Sequence, residues 1–133
     1  MRMTVLRGEV TTGVGDLAGR MRLYAEQYET ATGMRLYPGS LNVRLPEPWP
    51  LPGNTIVLRA ADVGRLVHLF PCSVAGRRCF IFRTNNADRA GRDEQRVVEI
   101  VAEVKLRDEF SLIDGDVVEI VVDEEAVRSQ TQT

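Results

Sequence analysis

The sequence predicts a mainly β protein, a small β-barrel with one or two short helices. Three observations carry this. Short runs rich in β-branched and aromatic residues recur along the chain, as in Leu41-Asn42-Val43-Arg44-Leu45 and Val97-Val98-Glu99-Ile100-Val101. Turn residues separate them, most clearly Pro38-Gly39 and Asp114-Gly115-Asp116. Helical spacing is confined to a stretch near residue 25 and a turn or two near residue 106. The 133 residues fit one domain, and 44% apolar residues suffice for one core without disulfide staples.

Taken in order, Met3 to Val10 is a strand ending in Thr11-Thr12-Gly13. Glycines at 13, 15 and 19 then mark a loop, because glycine allows positive φ and close backbone approach. Met21 and Leu23 alternate with Arg20 and Arg22, which predicts a short strand over 20–24. Tyr24, Tyr28 and Ala31 recur at helical spacing, so a helix runs from about 25 to 32, with Gly33 following it as a C-terminal cap. Leu41, Val43 and Leu45 alternate as in a strand. Four prolines in the seven residues from Pro46 to Pro52 then make a stiff, extended connection. Strands are expected at 55–59, 65–70, 72–75 and 79–83, and an exposed polar loop from Thr84 to Gln95. Further strands are expected from Val97 to Ala102 and, fully buried, from Val117 to Val122. One or two helical turns lie at 105–110 between them. The domain spans 1–125, and residues 126–133 form a polar tail.

Seventeen Lys and Arg against nineteen Asp and Glu leave a formal charge of −2, which argues against a general binder of nucleic acid or membrane surfaces. No apolar stretch approaches the roughly 18–20 residues that span a bilayer, and the start lacks a signal-peptide apolar block. A cytoplasmic protein, monomeric or a weak homodimer, is expected. Cys72 and Cys79 read as a reduced, buried pair. His68, set among Leu66, Val67, Leu69 and Phe70, reads as a strand residue and not a catalytic base.

Four segments could carry chemistry. Gly13-Val14-Gly15-Asp16, with Gly19, exposes main-chain N–H groups that could cradle phosphates, although an unliganded glycine-rich hairpin would look the same. It is neither a Walker A loop nor a Rossmann fingerprint. Ser40 and Asn42, two apart on a strand, share a face; their oxygens suit Mg²⁺ held largely by water and substrate phosphates, or simply form a polar face beside a turn. Lys105-Leu106-Arg107-Asp108 could meet phosphate oxygens or a base edge, or be a solvated charged turn. Glu99, inside an apolar strand, either faces solvent or sits in a site with a partner.

The order of these pieces is more specific than any one of them. Gly8 to Gly15, Tyr37 to Val43, Val98 to Arg107 and Leu112 to Ile120 together resemble the CTP-dependent riboflavin kinase family of archaea, over about residues 5–122. The resemblance implies a six-stranded cradle-loop barrel. It implies transfer of the γ-phosphoryl group of CTP to the 5′-hydroxyl of riboflavin, giving FMN and CDP. By the same resemblance Gly13, Val14, Gly15, Asp16 and Gly19 would hold the nucleotide phosphates, and Lys105, Leu106, Arg107 and Asp108 would line the cytidine pocket. Ser40, where the family usually has Thr, and Asn42 would hold Mg²⁺. Glu99 would be catalytic and face the flavin, with Asn86 also on the acceptor. Nucleic acid and membrane are not expected as partners.

The sequence departs from the family's pattern, mainly on the acceptor side. The family's strand before the long loop runs into a Pro and then a Thr that contacts the flavin; here Arg83 replaces the Pro, and the Thr position falls near Asn86. The glycine loop carries one extra residue, Leu17 or Ala18. A kinase of this family acting on a nucleoside or a modified flavin is therefore the second expectation. A non-catalytic barrel that binds nucleotide or DNA is the third.

Overall fold

The computed structural model describes residues 3–13, 17–50, 55–59, 66–84 and 96–123. Seven strands occur among them: β1 (Met3–Thr11), β2 (Leu41–Arg44), β3 (Ile56–Arg59), β4 (Leu66–Val74), β5 (Arg77–Thr84), β6 (Val97–Val101) and β7 (Val117–Asp123). The helices are α1 (Leu17–Leu23), α2 (Ala25–Thr32) and the single turn α3 (Leu106–Glu109). The strands pair antiparallel in the order β3-β4-β5-β6-β2-β1-β7, and β7 returns to β4. That last pairing closes a six-stranded barrel and leaves β3 outside the ring. Closure leaves none of the six ring strands as a free edge.

Both neighbours on one side of β4 are accommodated along its length. β3 pairs with residues 66–69 and β7 with residues 72–74. Pro71, which has no N–H to donate, falls between the two ladders. This is why 65–70 and 72–75, expected as two strands, are one continuous strand from Leu66 to Val74. The β4–β5 hairpin turns through Ala75 and Gly76, both at positive φ (50° and 81°), as a tight two-residue hairpin demands.

The apolar patterns follow from what covers each face. Val10, Leu41, Val43, Phe70, Cys72, Ile81, Val98, Ile100 and Ile120 fill the barrel. Val67, Leu69, Phe80 and Phe82 point the other way and are roofed by Met21, Tyr28 and Met34. β4 and β5 are thus buried on both faces, which explains their nearly continuous apolar runs. β7 is not roofed. It alternates, with Val118, Ile120 and Val122 buried and Val117 53% exposed, so the fully buried strand expected there is half-buried.

The strand expected at 20–24 is the main correction. Residues 17–23 form α1 instead, and Gly19 lies in that helix, not in a loop. A strand would put Met21 and Leu23 on one face. Here Met21 is buried at 3% and Leu23 is 71% exposed. Leu17, Met21, Tyr24, Tyr28 and Ala31 form one seam over β4 and β5, and helical spacing places them there. α2 ends as expected: Gly33, at φ 72°, caps it with its N–H on the Glu29 carbonyl. Cys72 and Cys79 are free, buried and directly opposed across β4 and β5. His68 lies in β4 at 2.9 Å from the Thr55 hydroxyl.

Gly8 governs the approach of β1 to β2. A Cβ there would sit 2.5 Å from the Arg44 carbonyl oxygen and 2.8 Å from Val43 Cγ1. The backbone cannot yield cheaply, so Gly8→Ala should cost about 1–3 kcal/mol. Urea unfolding should show a lower midpoint with an unchanged slope.

Candidate active site

Three strands place the candidate residues. Thr11 on β1 opposes Asn42 on β2, and Asn42 opposes Glu99 on β6. Because Leu41, Val43, Val98 and Ile100 point into the barrel, the alternation turns Asn42 and Glu99 to its outer face. Ser40 stands just before β2, and its hydroxyl donates to Glu99 Oε1 at 3.4 Å. Gly13 closes the group from the end of β1: a Cβ on it would lie 2.3 Å from Asn42 Nδ2. Four residues chosen from sequence, Gly13, Ser40, Asn42 and Glu99, therefore meet in one place. Val14, Gly15, Asp16 and Asn86 lie outside the described residues.

Partial burial shifts Glu99. Desolvation raises its pKa above the ordinary 4.5, and the hydrogen bond from Ser40 offsets this only in part. A cavity of about 390 Å³ adjoins the group. Ser40 and Tyr37, Ala18 and Arg22 of α1, and Lys105 and Arg107 border it. The cavity thus has three cationic side chains and an aromatic ring at its margin. The Pro38-Gly39 turn is held against α1, with the Gly39 N–H 3.2 Å from Met21 Sδ.

The segment from Lys105 to Asp108 divides. Lys105 and Arg107 border the cavity, and Leu106 does so while anchored in the core at 4% exposure. Asp108 is exposed and does not border the cavity. Arg107 is also a brace. Its Nη2 donates to the Thr11 carbonyl at 3.1 Å and to Asp114 Oδ1 at 2.6 Å. Asp114 in turn accepts from the Thr12 hydroxyl at 2.7 Å. That hydroxyl and then the Arg107 guanidinium hold the Asp114 carboxyl below its usual range. α3, the 114–116 turn and the end of β1 are thereby tied together beside the site. Gly19, expected with the phosphate loop, is in α1 and does not border the cavity.

Ala18, Arg22 and Tyr37 were given no site role from sequence. Ala18 and Arg22 are four apart, so reading 17–23 as a helix would have put both on one face. Arg83 is a second omission of role. It is buried at 3% exposure, and its Nη1 donates to the Trp49 carbonyl at 2.9 Å.

These features define a closed barrel with a cation-rimmed cavity beside a cluster of hard oxygen donors. Comparison with known proteins supplies the family. The model of the CTP-dependent riboflavin kinase family, described as domain of unknown function DUF120, matches residues 10–122, and the chain belongs to that family. A riboflavin kinase of Methanocella arvoryzae is 32% identical over 126 residues, covering 90% of this chain and 57% of that protein. One from Archaeoglobus fulgidus is 31% identical, covering 88% and 54%. One from Methanobrevibacter smithii is 29% identical, covering 85% and 95%. The chain thus spans little more than half the length of the first two relatives and nearly all of the third.

The raised Glu99 pKa has a defined consequence for stability. Folding favours the protonated carboxyl. That contribution is fully present below the unfolded value of 4.5 and is lost as pH rises through the higher folded value. At neutral pH the half-buried carboxylate therefore weakens the fold relative to a neutral isostere. Glu99→Gln should melt higher than the parent at pH 7–8. The difference should shrink toward zero below pH 4.5, as thermal unfolding across pH will show.

Proposed function

We propose that this barrel, taken as one domain over residues 1–125, transfers the γ-phosphoryl group of CTP to the 5′-hydroxyl of riboflavin, giving FMN and CDP. The observation that carries this reading is the meeting of Gly13, Ser40, Asn42 and Glu99 beside the cation-rimmed cavity. The family's name supports CTP as donor, and the relatives' names support riboflavin as acceptor.

The donor set suits Mg²⁺. The hydroxyl of Ser40 and the amide oxygen of Asn42 are hard ligands, and the described residues hold no group of three or more His, Cys, Asp or Glu that could cage a metal. Mg²⁺ commonly takes few protein ligands and completes its shell with water and phosphates. Bound through Ser40 and Asn42, it would neutralise charge on the triphosphate. The rest belongs to the chain. The main chain at Gly13, with Val14, Gly15 and Asp16 in the same role, would hold the phosphates. Lys105, Leu106 and Arg107 line the nucleoside cavity, and Asp108 does not border it. Glu99 accepts a hydrogen bond from the acceptor hydroxyl and takes its proton, a task that a carboxylate of raised pKa does better. Asn86 contacts the acceptor. Positioning and charge stabilisation supply most of what phosphoryl transfer needs.

The barrel works on small molecules in this reading, as a monomer or weak dimer in the cytoplasm; no helix among the described residues is long and apolar enough to cross a membrane. Purified protein with CTP, Mg²⁺ and riboflavin should yield FMN and CDP in equal amounts by chromatography. Ser40→Ala and Asn42→Ala should each lower kcat/KM by about 10²-fold or more, and Glu99→Gln should lower kcat by about 10²–10⁴-fold while the fold persists. CDP formed with another alcohol but not with riboflavin would keep the kinase and replace the acceptor. The absence of turnover on any small alcohol would reject the kinase.

A further inference from the structure

A second cavity, of about 350 Å³, lies on the barrel's outer face one step further along β2. Arg7, Gly8 and Glu9 of β1, Arg44 of β2 and Arg96 border it. Among the described residues that border it, three arginines stand against one carboxylate, in a chain whose net charge is −2. Register places Glu9 opposite Arg44 and Glu119 opposite Arg7. Even so, neither Arg7 nor Arg44 forms an ion pair among the described residues. Arg96 Nη2 donates to the Pro46 carbonyl at 2.6 Å, which sets that side chain against the cleft wall. Arg7 and Arg44 are exposed and outside the core, so packing does not require them. A ligand that gains from the fork of a guanidinium accounts for the arrangement, and phosphate matches that fork in two parallel hydrogen bonds.

Position identifies the kind of phosphate. Arg44 and Asn42 are two residues apart on one strand and share the outer face, with Cα atoms about 7 Å apart. Along β2 the order is therefore the first cavity at Ser40 and Leu41, the Asn42–Glu99 pair, then the arginine cleft. The cleft exceeds the size of a bare phosphate and has room for part of an organic group. We propose that the Arg7–Arg44 cleft binds the phosphate of a phosphomonoester. This rests on the kinase reading in naming the ester: riboflavin carries no phosphate before transfer and FMN carries one afterwards, so the cleft holds product in preference to acceptor.

The test compares the parent with Arg7→Ala/Arg44→Ala, and with Arg44→Glu alone should the double change impair folding by circular dichroism. FMN and riboflavin are titrated by flavin fluorescence, CDP by calorimetry, and inorganic phosphate by thermal shift. FMN should bind about tenfold more weakly to the variant, with riboflavin and CDP within about twofold. Phosphate should raise the melting temperature of the parent and not of the variant. Should riboflavin fail to bind while phosphate stabilises only the parent, the flavin reading falls and the cleft stands as the site of another phosphomonoester. Equal weakening of FMN and riboflavin, or phosphate acting alike on parent and variant, overturns the proposal.

Discussion

The pinning of β2 between two partners is the constraint on which the rest depends. Three of the four residues of β2 pair with β1 on one side, and all four pair with β6 on the other. This double ladder aligns Thr11, Asn42 and Glu99 in one row. Closure of the ring through β4 and β7 keeps the row from splaying, because a closed sheet has no free edge along which to slip. Gly8 permits the approach by leaving room for the Arg44 carbonyl. The outer face of β2 is therefore a fixed platform. Its side chains form a sequence from hydroxyl to amide to guanidinium in steps of two residues.

Around that platform the molecule sets stability against chemistry. Glu99 is half-buried beside Ser40 and holds its proton more tightly than a free carboxyl. A neutral residue would suit the fold better at pH 7. In the proposed kinase reading, Glu99 as proton acceptor gains from the same desolvation. Arg107 resolves the conflict differently. It borders the cavity, yet its charge is answered by Asp114 and by the Thr11 carbonyl, so it holds α3 and the end of β1 in place. Arg83, buried under the proline-rich connection, likewise serves the scaffold by holding the Trp49 carbonyl.

Much of this was legible in the residues. The alternation in Leu41-Asn42-Val43 already told which side chains face out, and the glycine at 33 already told where α2 stops. The stretch from Arg20 to Tyr24 misled. Four residues of apolar and charged alternation fit a strand as well as a helix. Only the longer seam through Leu17, Met21, Tyr24 and Tyr28 decides, because it needs β4 and β5 beneath it. The same roof made β4 and β5 apolar on both faces, whereas its absence left Val117 of β7 exposed.

What the sequence determined by itself was local: strand phase, turn positions, the cap of α2 and the residue types able to hold phosphate or a hard cation. Those depend on backbone preference and side-chain chemistry, which neighbours in the chain already express. What the tertiary structure alone decided was adjacency. Residues 13, 40, 42 and 99 become neighbours through ladders joining distant segments, and Arg7 meets Arg44 and Arg96 at one cleft by the same means. No spacing along the chain encodes such meetings, since hydrogen-bond register and barrel closure are set only when all the strands pair at once.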